Sequence, residues 1–279
     1  MISNKIKVSA LGSLYIKESP IFLEQALDSL LKQTYELDEI VLMIDGPILQ
    51  EHEEVISKNK YSKLLNIYRL ENNVGLGEAL KIGIGKIQNE YILRFDTDDI
   101  NHQDRLQCSL EYLVSEDLDV CSSNVIEFNN SIGDLNIIKK VPYQHNKIVR
   151  FAKWRSPMNH MAVLYRKSTL LKHGAYENVL NFEDYYLWCK LLQNGAKFGN
   201  LQQPLVYARI GNDMIGRRKG VSYFKREYYF AKRVYSMGFF SAIEFLRFLI
   251  IRLPMRILPK KVLVILYKKI LRSKLHEQN

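Results

Sequence analysis

Short apolar runs alternate with amphipathic segments along the first part of the chain. Each run is nearly continuous in apolar residues, as strands buried on both faces are, and each following segment repeats its apolar residues with the helical period. The predicted strands are IKVSALGSLY, EIVLMID, LNIYRL and EYILRFD. The predicted helices open at Pro20, cover Glu51 to Lys63 and Gly75 to Ile87, and span HQDRLQCSLEYLVSE. This alternation predicts an α/β fold, a doubly wound, mostly parallel sheet flanked by helices.

Beyond residue 120 the pattern becomes mixed. We predict strands at DVCSSNVIEF and PLVYARI, a short strand joined to a helix in MAVLYRKSTLLKHG, and a helix at FEDYYLWCKLLQNG. A composition of 47% hydrophobic and 25% charged residues excludes disordered and collagen-like classes. Three cysteines without a CxxC pair indicate reduced, buried thiols of a cytosolic protein. The N-terminus lacks the apolar stretch of a secretory signal.

The positive charge of the chain is concentrated near its C-terminus. From Arg217 to Leu275 there are sixteen lysines and arginines against two glutamates, a net +14, so the remainder carries −4 of the total of +10. A slightly acidic body is therefore followed by a strongly basic tail. We predict a main domain at residues 1–215 and a basic helical extension at residues 216–279.

Three aspartates, Asp96, Asp98 and Asp99, follow the fourth predicted strand. Carboxylates at this spacing repel one another. In an extended segment residues i and i+2 face the same side, so we expect Asp96 and Asp98 to converge while Asp99 turns away. Two convergent carboxylates suit a hard divalent cation, Mg²⁺ or Mn²⁺. The alternative is a solvated acidic loop in which Asp99 or Asn101 caps the next helix.

Other chemistry-bearing residues share this setting. Asp45 also ends a predicted strand, and ligands of doubly wound sheets lie outside the carboxyl ends of the strands, so we expect Asp45 and Asp96 in one crevice. The segment NNVGLGEAL places asparagines and glycines where a strand gives way to a helix. Glu183 and Asp184 stand together at a helix start, where the alternative is a first turn that complements the helix dipole.

Taken in order and spacing, these segments resemble the inverting family 2 glycosyltransferases of GT-A fold. More narrowly, they resemble the non-processive bacterial enzymes that build O-antigen and exopolysaccharide repeat units. The resemblance covers roughly residues 5 to 225 and rests on SLYIKESPIFLEQALDSLLKQT, EIVLMIDGP, LENNVGLGEALKIGI, ILRFDTDD, DRLQ, SPMNHMAVLYRKS, FEDYYLW and GRRKG. It makes the main domain a GT-A catalytic domain.

The resemblance implies a donor-binding half of the site. Asp45 would bind the nucleobase, and Asn73 and Gly75 would line the nucleotide pocket. Asp96 would contact the ribose or the metal, and Asp98 would be the main metal ligand on the donor diphosphate. The implied donor is a UDP-sugar, and the implied cofactor is Mn²⁺ or Mg²⁺.

The resemblance also implies an acceptor half. Asp184 would be the general base, with Glu183 orienting it or the acceptor. His160 would contact the acceptor or the diphosphate, its alternative being a satisfied core histidine. Arg217 and Arg218 would belong to a basic loop that closes on the diphosphate, the alternative being a solvated basic turn.

The activity implied by these roles is the inverting transfer of a hexose. The donor would be the UDP-sugar, and the acceptor would be a hydroxyl of GlcNAc or GalNAc linked to undecaprenyl diphosphate. Inversion of an α-linked donor would give a β-linkage, in surface polysaccharide synthesis. Arg94 and Arg105 flank the aspartates and would balance their charge.

The basic tail contains FFSAIEFLRFLIIRLPMRILPKKVLVILYKKILRSK. Charges interrupt its apolar runs too often for a spanning helix, and we expect Pro254 and Pro259 to divide it into shorter helices. We predict amphipathic helices on an anionic inner leaflet, hence a peripheral location on the cytoplasmic face of the bacterial inner membrane. The alternative is a helical cap on the domain with a solvated basic face.

Two other function classes remain for comparison. A sugar-nucleotide nucleotidyltransferase would have a glycine-rich, basic loop after the first strand, and LGSLYIKESP does not supply one. A non-enzymatic binder of membrane or nucleic acid would depend on the tail alone. Nucleic-acid binding is disfavoured because the basic residues lie on apolar helices and the expected crevice is acidic.

Overall fold

The computed structural model describes residues 5–210, 220–257 and 273–274. In chain order the strands are β1 (Val8–Leu14), β2 (Glu39–Asp45), β3 (Leu65–Leu70), β4 (Tyr91–Arg94), β5 (Ile100–Asn101), β6 (Val120–Phe128), β7 (Ile137–Lys139), β8 (Leu164–Arg166), β9 (Phe198–Arg209) and β10 (Ser273–Lys274). The helices are α1 (Pro20–Leu31), α2 (Gln50–Ile56), α3 (Leu76–Lys86), α4 (Arg105–Ser115), α5 (His145–Ala152), α6 (Lys167–His173), α7 (Glu183–Gln193), α8 (Gly220–Ser236) and α9 (Ala242–Ile257). Short 3-10 turns lie at Asn59–Tyr61 and His160–Ala162.

The strands form one mixed sheet in the order β10-β7-β6-β8-β4-β1-β2-β3. Strands β4, β1, β2 and β3 are parallel to one another, and β8 joins antiparallel to β4. Strand β9 runs parallel to β6 and also pairs with the short β5. The predicted α/β fold is confirmed, and its four parallel strands bring the carboxyl ends of β2 and β4 to one edge of the sheet.

Alternating side chains of the central strands fill a core on each face of the sheet. Along β2, Val41 and Met43 pack in one core, and Ile40, Leu42 and Ile44 pack in the other. Helices α3 and α7 cover the first face, and α1 and α4 cover the second. Both helix layers therefore hold the strand ends that carry the acidic residues in place.

Several local expectations are corrected by the structure. The helix predicted from Glu51 to Lys63 ends at Ile56, and a 3-10 turn follows it. The N-cap of α4 is Asp104, so the expectation of Asp99 or Asn101 at that position is wrong. Helix α5 and strands β5, β7 and β10 were not predicted from the periodicity, because each is short or interrupted.

Pro254 lies inside α9, so the prediction that it divides this segment is wrong. Proline removes one backbone hydrogen bond, here to the carbonyl of Ile250. Pro254 is itself exposed, so the proline lies on the solvent-facing side of the helix. Pro259 lies outside the described residues.

The inner faces of α8 and α9 pack in the same core as α7. Phe230 of α8 stacks against Phe182 and Tyr185, with ring centroids 5.0 and 4.5 Å apart, and Phe248 of α9 lies 5.7 Å from Phe230. The division of the chain after residue 215 stays a prediction, and these contacts show that the two helices share a hydrophobic core with the sheet domain. In the described part of the chain, no helix combines the length and the apolar character needed to cross a bilayer.

Candidate active site

The acidic residues after β4 lie in a turn. The strand ends at Arg94, and the N–H of Asp99 points back to the carbonyl of Asp96 at 3.4 Å. One carboxylate oxygen of each of Asp96, Asp98 and Asp99 lies within 4.8 Å of the other two. The expectation that Asp99 turns away from the other two is therefore wrong, because it assumed extended backbone where the chain folds back. We call Asp96 to Asp99 the acidic turn.

One buried cation balances part of the charge of the acidic turn. Nη2 of Arg94 lies 2.5 Å from Oδ1 of Asp96, and the Arg94 side chain is only 1% exposed. Burial alone would lower the pKa of Arg94, but the charge of Asp96 and its hydrogen bond raise it. Nε and Nη1 of Arg94 are buried without a partner in the described structure.

The remaining carboxylates of the acidic turn are under-compensated. Burial, together with the charges of Asp96 and Glu18, raises the pKa of Asp98 to about 7. Burial and both neighbouring aspartates also raise the pKa of Asp99. Three converging carboxylates with one partnering arginine fit a divalent cation with oxygen ligands, because the cation supplies the missing positive charge.

Arg209 holds the acidic turn in place, and the sequence pattern did not point to it. Its backbone N–H donates to Oδ1 of Asp99 at 2.7 Å, and its Nε–H donates to the carbonyl of Asp98 at 3.1 Å. The guanidinium lies between the rings of Phe22 and Phe128, 3.7 and 4.4 Å from their centroids. This arginine ends β9, so a strand far along the chain positions the turn after β4.

Glu18 is a second residue that was not predicted. It precedes α1 within the segment SLYIKESP, and its partly buried carboxylate accepts from the N–H of Ser19 at 3.1 Å. Burial raises the pKa of Glu18, and the charge of Asp96 adds to that effect. The sequence did contain a signal for Glu18. It is an acidic residue in the loop after β1, and that loop lies at the same edge of the sheet as the acidic turn.

Asp45 organises the loop that leads into α3. Its buried carboxylate accepts from the backbone N–H groups of Val74 at 2.7 Å and Gly75 at 3.0 Å. The side-chain amide of Asn73 donates to the carbonyl of Asp45 at 3.2 Å. Gly75 has φ +88, a left-handed conformation that favours glycine. The structure brings Asp45, Asn73 and Gly75 together, and their contact with a nucleotide stays a prediction.

The acid pair Glu183–Asp184 opens α7 beside the start of α3. A Cβ added to Gly77 would lie 3.0 Å from Cβ of Glu183, so the glycine allows the two helix starts to approach. Burial and the charge of the neighbouring Asp184 raise the pKa of Glu183 to about 7, although the charge of Arg94 opposes this rise. The acid pair is therefore partly desolvated, and it also lies in the first turn of α7, where its charge complements the helix dipole.

Arg94 connects the two acidic groups electrostatically. Its charge acts on Asp98 in the acidic turn and on Glu183 in the acid pair. Tyr176 interacts with the charges of both Arg94 and Asp184. The acidic turn and the acid pair therefore both lie within electrostatic range of this buried arginine, and their union in one site stays a prediction.

The sequence profile named Glycosyl transferase family 2 matches residues 17–180, more than half of the chain. The chain belongs to glycosyl transferase family 2. It is 38% identical over 273 residues to the Escherichia coli UDP-Gal:alpha-D-GlcNAc-diphosphoundecaprenol beta-1,3-galactosyltransferase, covering 95% of this chain and 97% of the relative. It is 36% identical over 262 residues to the Erwinia amylovora amylovoran biosynthesis glycosyltransferase AmsE, covering 94% of this chain and 98% of the relative.

Solved structures show that this family 2 glycosyltransferase has the GT-A fold. S. aureus TarS 1-349 in complex with UDP-GlcNAc superposes with a TM-score of 0.66 at 18% identity, covering 90% of this chain and 72% of that one. The mannosyltransferase PcManGT from Pyrobaculum calidifontis, in complex with GDP-Man and Mn2+, gives a TM-score of 0.65 at 14% identity, with coverage of 94% and 79%. The predicted fold and family are both confirmed.

Two other residues of this glycosyltransferase have structural partners. His160 Nε2 lies 2.7 Å from the hydroxyl of Tyr176, and burial lowers the pKa of His160 well below its usual value, so the ring is neutral. Arg105 donates to the carbonyl of Arg94 at 2.6 Å and makes no ion pair with the acidic turn. Contact of His160 with substrate stays a prediction. Arg217 and Arg218 lie outside the described residues.

Proposed function

We propose that the chain is an inverting hexosyltransferase that moves a hexose from a UDP-sugar to a hydroxyl of a lipid-diphosphate-linked sugar. The observation that supports this proposal is that the charge of the buried Arg94 acts both on the acidic turn, where it pairs with Asp96, and on the acid pair at the start of α7. Such a site offers a carboxylate cluster for a donor diphosphate and a separate carboxylate for an acceptor. The similarity to the E. coli galactosyltransferase, which covers 95% of this chain, supports a UDP-sugar donor and a GlcNAc-diphospho-undecaprenol acceptor, and we keep GalNAc as the alternative acceptor sugar.

The donor half is assigned to the acidic turn and the β2–α3 loop. Asp98 and Asp96 would hold a Mn²⁺ or Mg²⁺ ion, with Asp99 close enough to contribute. When bound, such a cation stabilises the charge that develops on the departing diphosphate. Asp45 keeps the Asn73–Gly75 loop closed against the strand end, which presents these residues to the nucleoside.

The acceptor half is assigned to the start of α7. Asp184 takes the proton from the acceptor hydroxyl as its oxygen bonds to the anomeric carbon, while the bond from that carbon to the diphosphate oxygen breaks. Attack from the face opposite the leaving group inverts the configuration, so an α-linked donor gives a β-linkage. Glu183, whose pKa is raised to about 7, is a hydrogen-bond donor when protonated and orients Asp184 or the acceptor.

A lipid-linked acceptor places the reaction at a bilayer surface. We assign the protein to the cytoplasmic face of the bacterial inner membrane, bound peripherally to anionic lipid through its C-terminal region. The net charge of +14 between residues 217 and 275 supports this assignment. We assign no nucleic-acid partner, because the crevice at the strand ends is acidic.

A screen of UDP-hexoses and their N-acetyl analogues tests the proposal. Each donor is incubated with Mn²⁺ and a synthetic GlcNAc-diphospholipid, and UDP release and the anomeric configuration of the product are measured. We expect acceptor-dependent UDP release with one or a few donors and a β-linked product. An α-linked product, or no release above the acceptor-free background with any donor, would overturn it.

A further inference from the structure

The charged side chains at the C-terminal end of α9 are directed toward the domain. Arg256 donates from Nε to Oε2 of Glu227 at 2.7 Å, and Arg252 lies 3.4 Å from the same carboxylate. Glu227 lies on α8 and its side chain is 0% exposed. Because a buried carboxylate needs compensating charge, these two arginines are held on the inner side of α9.

The charged side chains in the first half of α9 also have partners in the domain. Glu244 lies 3.3 Å from Nζ of Lys153. The guanidinium of Arg247 lies over the ring of Trp154, 3.5 Å from its centroid. All four charged residues of α9 are thereby engaged with protein groups.

The outward side of α9 is consequently apolar. Ile243, Leu246, Ile250 and Leu253 recur at intervals of three and four residues, which places them in one row along the helix. Their exposed fractions are 77%, 57%, 70% and 43%. A surface helix normally turns such a row toward the core, so a row left outside indicates a surface that contacts an apolar partner. We call these four residues the outer stripe.

A row of polar and amphipathic residues on α8 borders the outer stripe. Lys225, Tyr228, Lys232 and Tyr235 are exposed and recur with the same helical spacing. The rings of Tyr228 and Tyr235 lie 6.1 and 5.4 Å from the ring of Phe245 on α9, which places this row beside α9. Tyrosine is enriched at membrane–water interfaces, and lysine contacts anionic headgroups.

We propose that the outer stripe and the α8 row together form the face that docks on an anionic bilayer. The apolar stripe enters the headgroup boundary, the two tyrosines lie at that boundary, and the two lysines contact lipid phosphates. Charge complementarity selects this partner, since the row beside the stripe is cationic and lacks carboxylates. The inference rests on the membrane location within the proposed function and deepens it. The arginines of α9 hold the helix in this orientation, and they are not the lipid contacts.

The orientation connects the docking face with the reaction site. Phe230 on the inner side of α8 stacks on Phe182, the residue before Glu183. The docking face therefore lies one helix layer behind the start of α7. A protein docked in this way holds the proposed base close to an acceptor in the same bilayer.

Co-sedimentation of the full chain with vesicles tests the face without any donor or acceptor. The vesicles are phosphatidylcholine alone, or equal parts of phosphatidylcholine and phosphatidylglycerol. The test variant is Ile243→Asn/Ile250→Asn. The matched control is Ile21→Asn/Leu171→Asn, which alters two residues of similar exposure, 67% and 65%, away from α9. We expect the test variant to lose about tenfold or more in vesicle binding and the control to bind as the wild type does.

Two further measurements distinguish an anionic bilayer from the other possible partners of this face, a neutral bilayer and a second copy of the chain. Lys225→Ser/Lys232→Ser should weaken binding to the anionic vesicles only. The proposal would be overturned if Ile243→Asn/Ile250→Asn bound vesicles as well as the wild type does. It would also be overturned if analytical ultracentrifugation showed that this variant loses a wild-type dimer while its vesicle binding is unchanged. Both double variants should keep the wild-type melting temperature. They should also keep the wild-type rate of hexose transfer to a water-soluble acceptor analogue. Failure of transfer in the wild type would count against the proposed function and not against the docking face.

Discussion

Arg94, the last residue of β4, forms an ion pair with Asp96, the first residue of the acidic turn, with Nη2 and Oδ1 2.5 Å apart. The arginine is almost fully buried and the aspartate is 29% exposed. The charge of the same guanidinium opposes the rise in the pKa of Glu183, at the start of α7. The charge of one side chain therefore acts on carboxylates in both proposed halves of the site.

Removing that guanidinium should destabilise the metal-free protein. In Arg94→Met the carboxylates lose their buried partner, and we expect the free energy of unfolding to fall by about 3 kcal/mol, the low end for a buried pair because Asp96 is partly exposed. Urea unfolding in EDTA and in Mn²⁺ measures this loss. Mn²⁺ should restore more stability to the variant than to wild type, since it compensates one more negative charge. Equal unfolding curves in EDTA would contradict the ion-pair argument.

Neutralising either proposed reactive carboxylate should abolish transfer and leave the fold intact. We expect Asp184→Asn to lower kcat by about 10²–10⁴, the usual contribution of a general base, and Asp98→Asn to lose activity through the donor diphosphate. Glu111→Gln, an exposed change on α4, is the control with the same chemistry. Near-normal turnover in either variant, measured by UDP release, would remove that residue's assigned role.

Two glycines of α3 provide a matched test of the approach between helix starts. A methyl group at Gly77 meets Glu183 at 3.0 Å, whereas one at Gly85 meets nothing within 4 Å. We expect Gly77→Ala to lower kcat by about tenfold, because small displacements of a reacting group are costly. Gly85→Ala should keep full activity and gain about 1 kcal/mol of stability from helix propensity. Equal activity of the two variants would show that Glu183 tolerates the displacement.

The raised pKa of Glu183 predicts a pH dependence of stability. Burial raises its pKa from 4.5 to about 7, so folding favours the neutral acid. The contribution to stability is therefore complete below pH 4.5 and is lost as the pH rises through about 7. Glu183→Gln cannot ionise, and its free energy of unfolding should decline less steeply between pH 5 and pH 8 in urea titrations without metal. Parallel declines would show that Glu183 ionises normally in the folded protein.

Arg209 should affect the Mn²⁺ concentration that the enzyme needs, because it holds the acidic turn in position. Arg209→Met loses the bond to the carbonyl of Asp98 and the position between two phenyl rings. We expect the Mn²⁺ concentration for half-maximal activity to rise by about 10–100-fold, the range for residues that orient metal ligands. Arg209→Lys should recover part of it, and Arg150→Met, an exposed change on α5, should have no effect. A loss of kcat that saturating Mn²⁺ leaves uncorrected would argue against a positioning role.

The sequence predicted the parallel half of the fold well. Strands β1 to β4 and helices α1, α3 and α4 lie where the apolar periodicity placed them, with ends shifted by a few residues. Side-chain periodicity is a property of neighbours along the chain, so it is visible without tertiary contacts. Because parallel strands present their carboxyl ends at one edge, the sequence also predicted where Asp45 and Asp96 stand.

The conformation of the acidic turn was decided by tertiary contacts. The sequence suggested an extended Asp96 to Asp99 with one carboxylate turned away, and a hydrogen bond from Arg209, 110 positions later, holds Asp99 in the cluster instead. Glu18 reaches the same cluster from the loop after β1. No local pattern reports which distant residue will occupy that edge of the sheet.

The sequence alone predicted that residues 242–257 are helical and amphipathic, since arginines and large apolar residues alternate along them with helical spacing. Which side faces the protein was decided only in the folded molecule. Glu227 is buried on α8, and a buried carboxylate draws Arg252 and Arg256 inward. The outer stripe remains exposed because the opposite side of α9, which carries the two arginines, is the side that packs against α8.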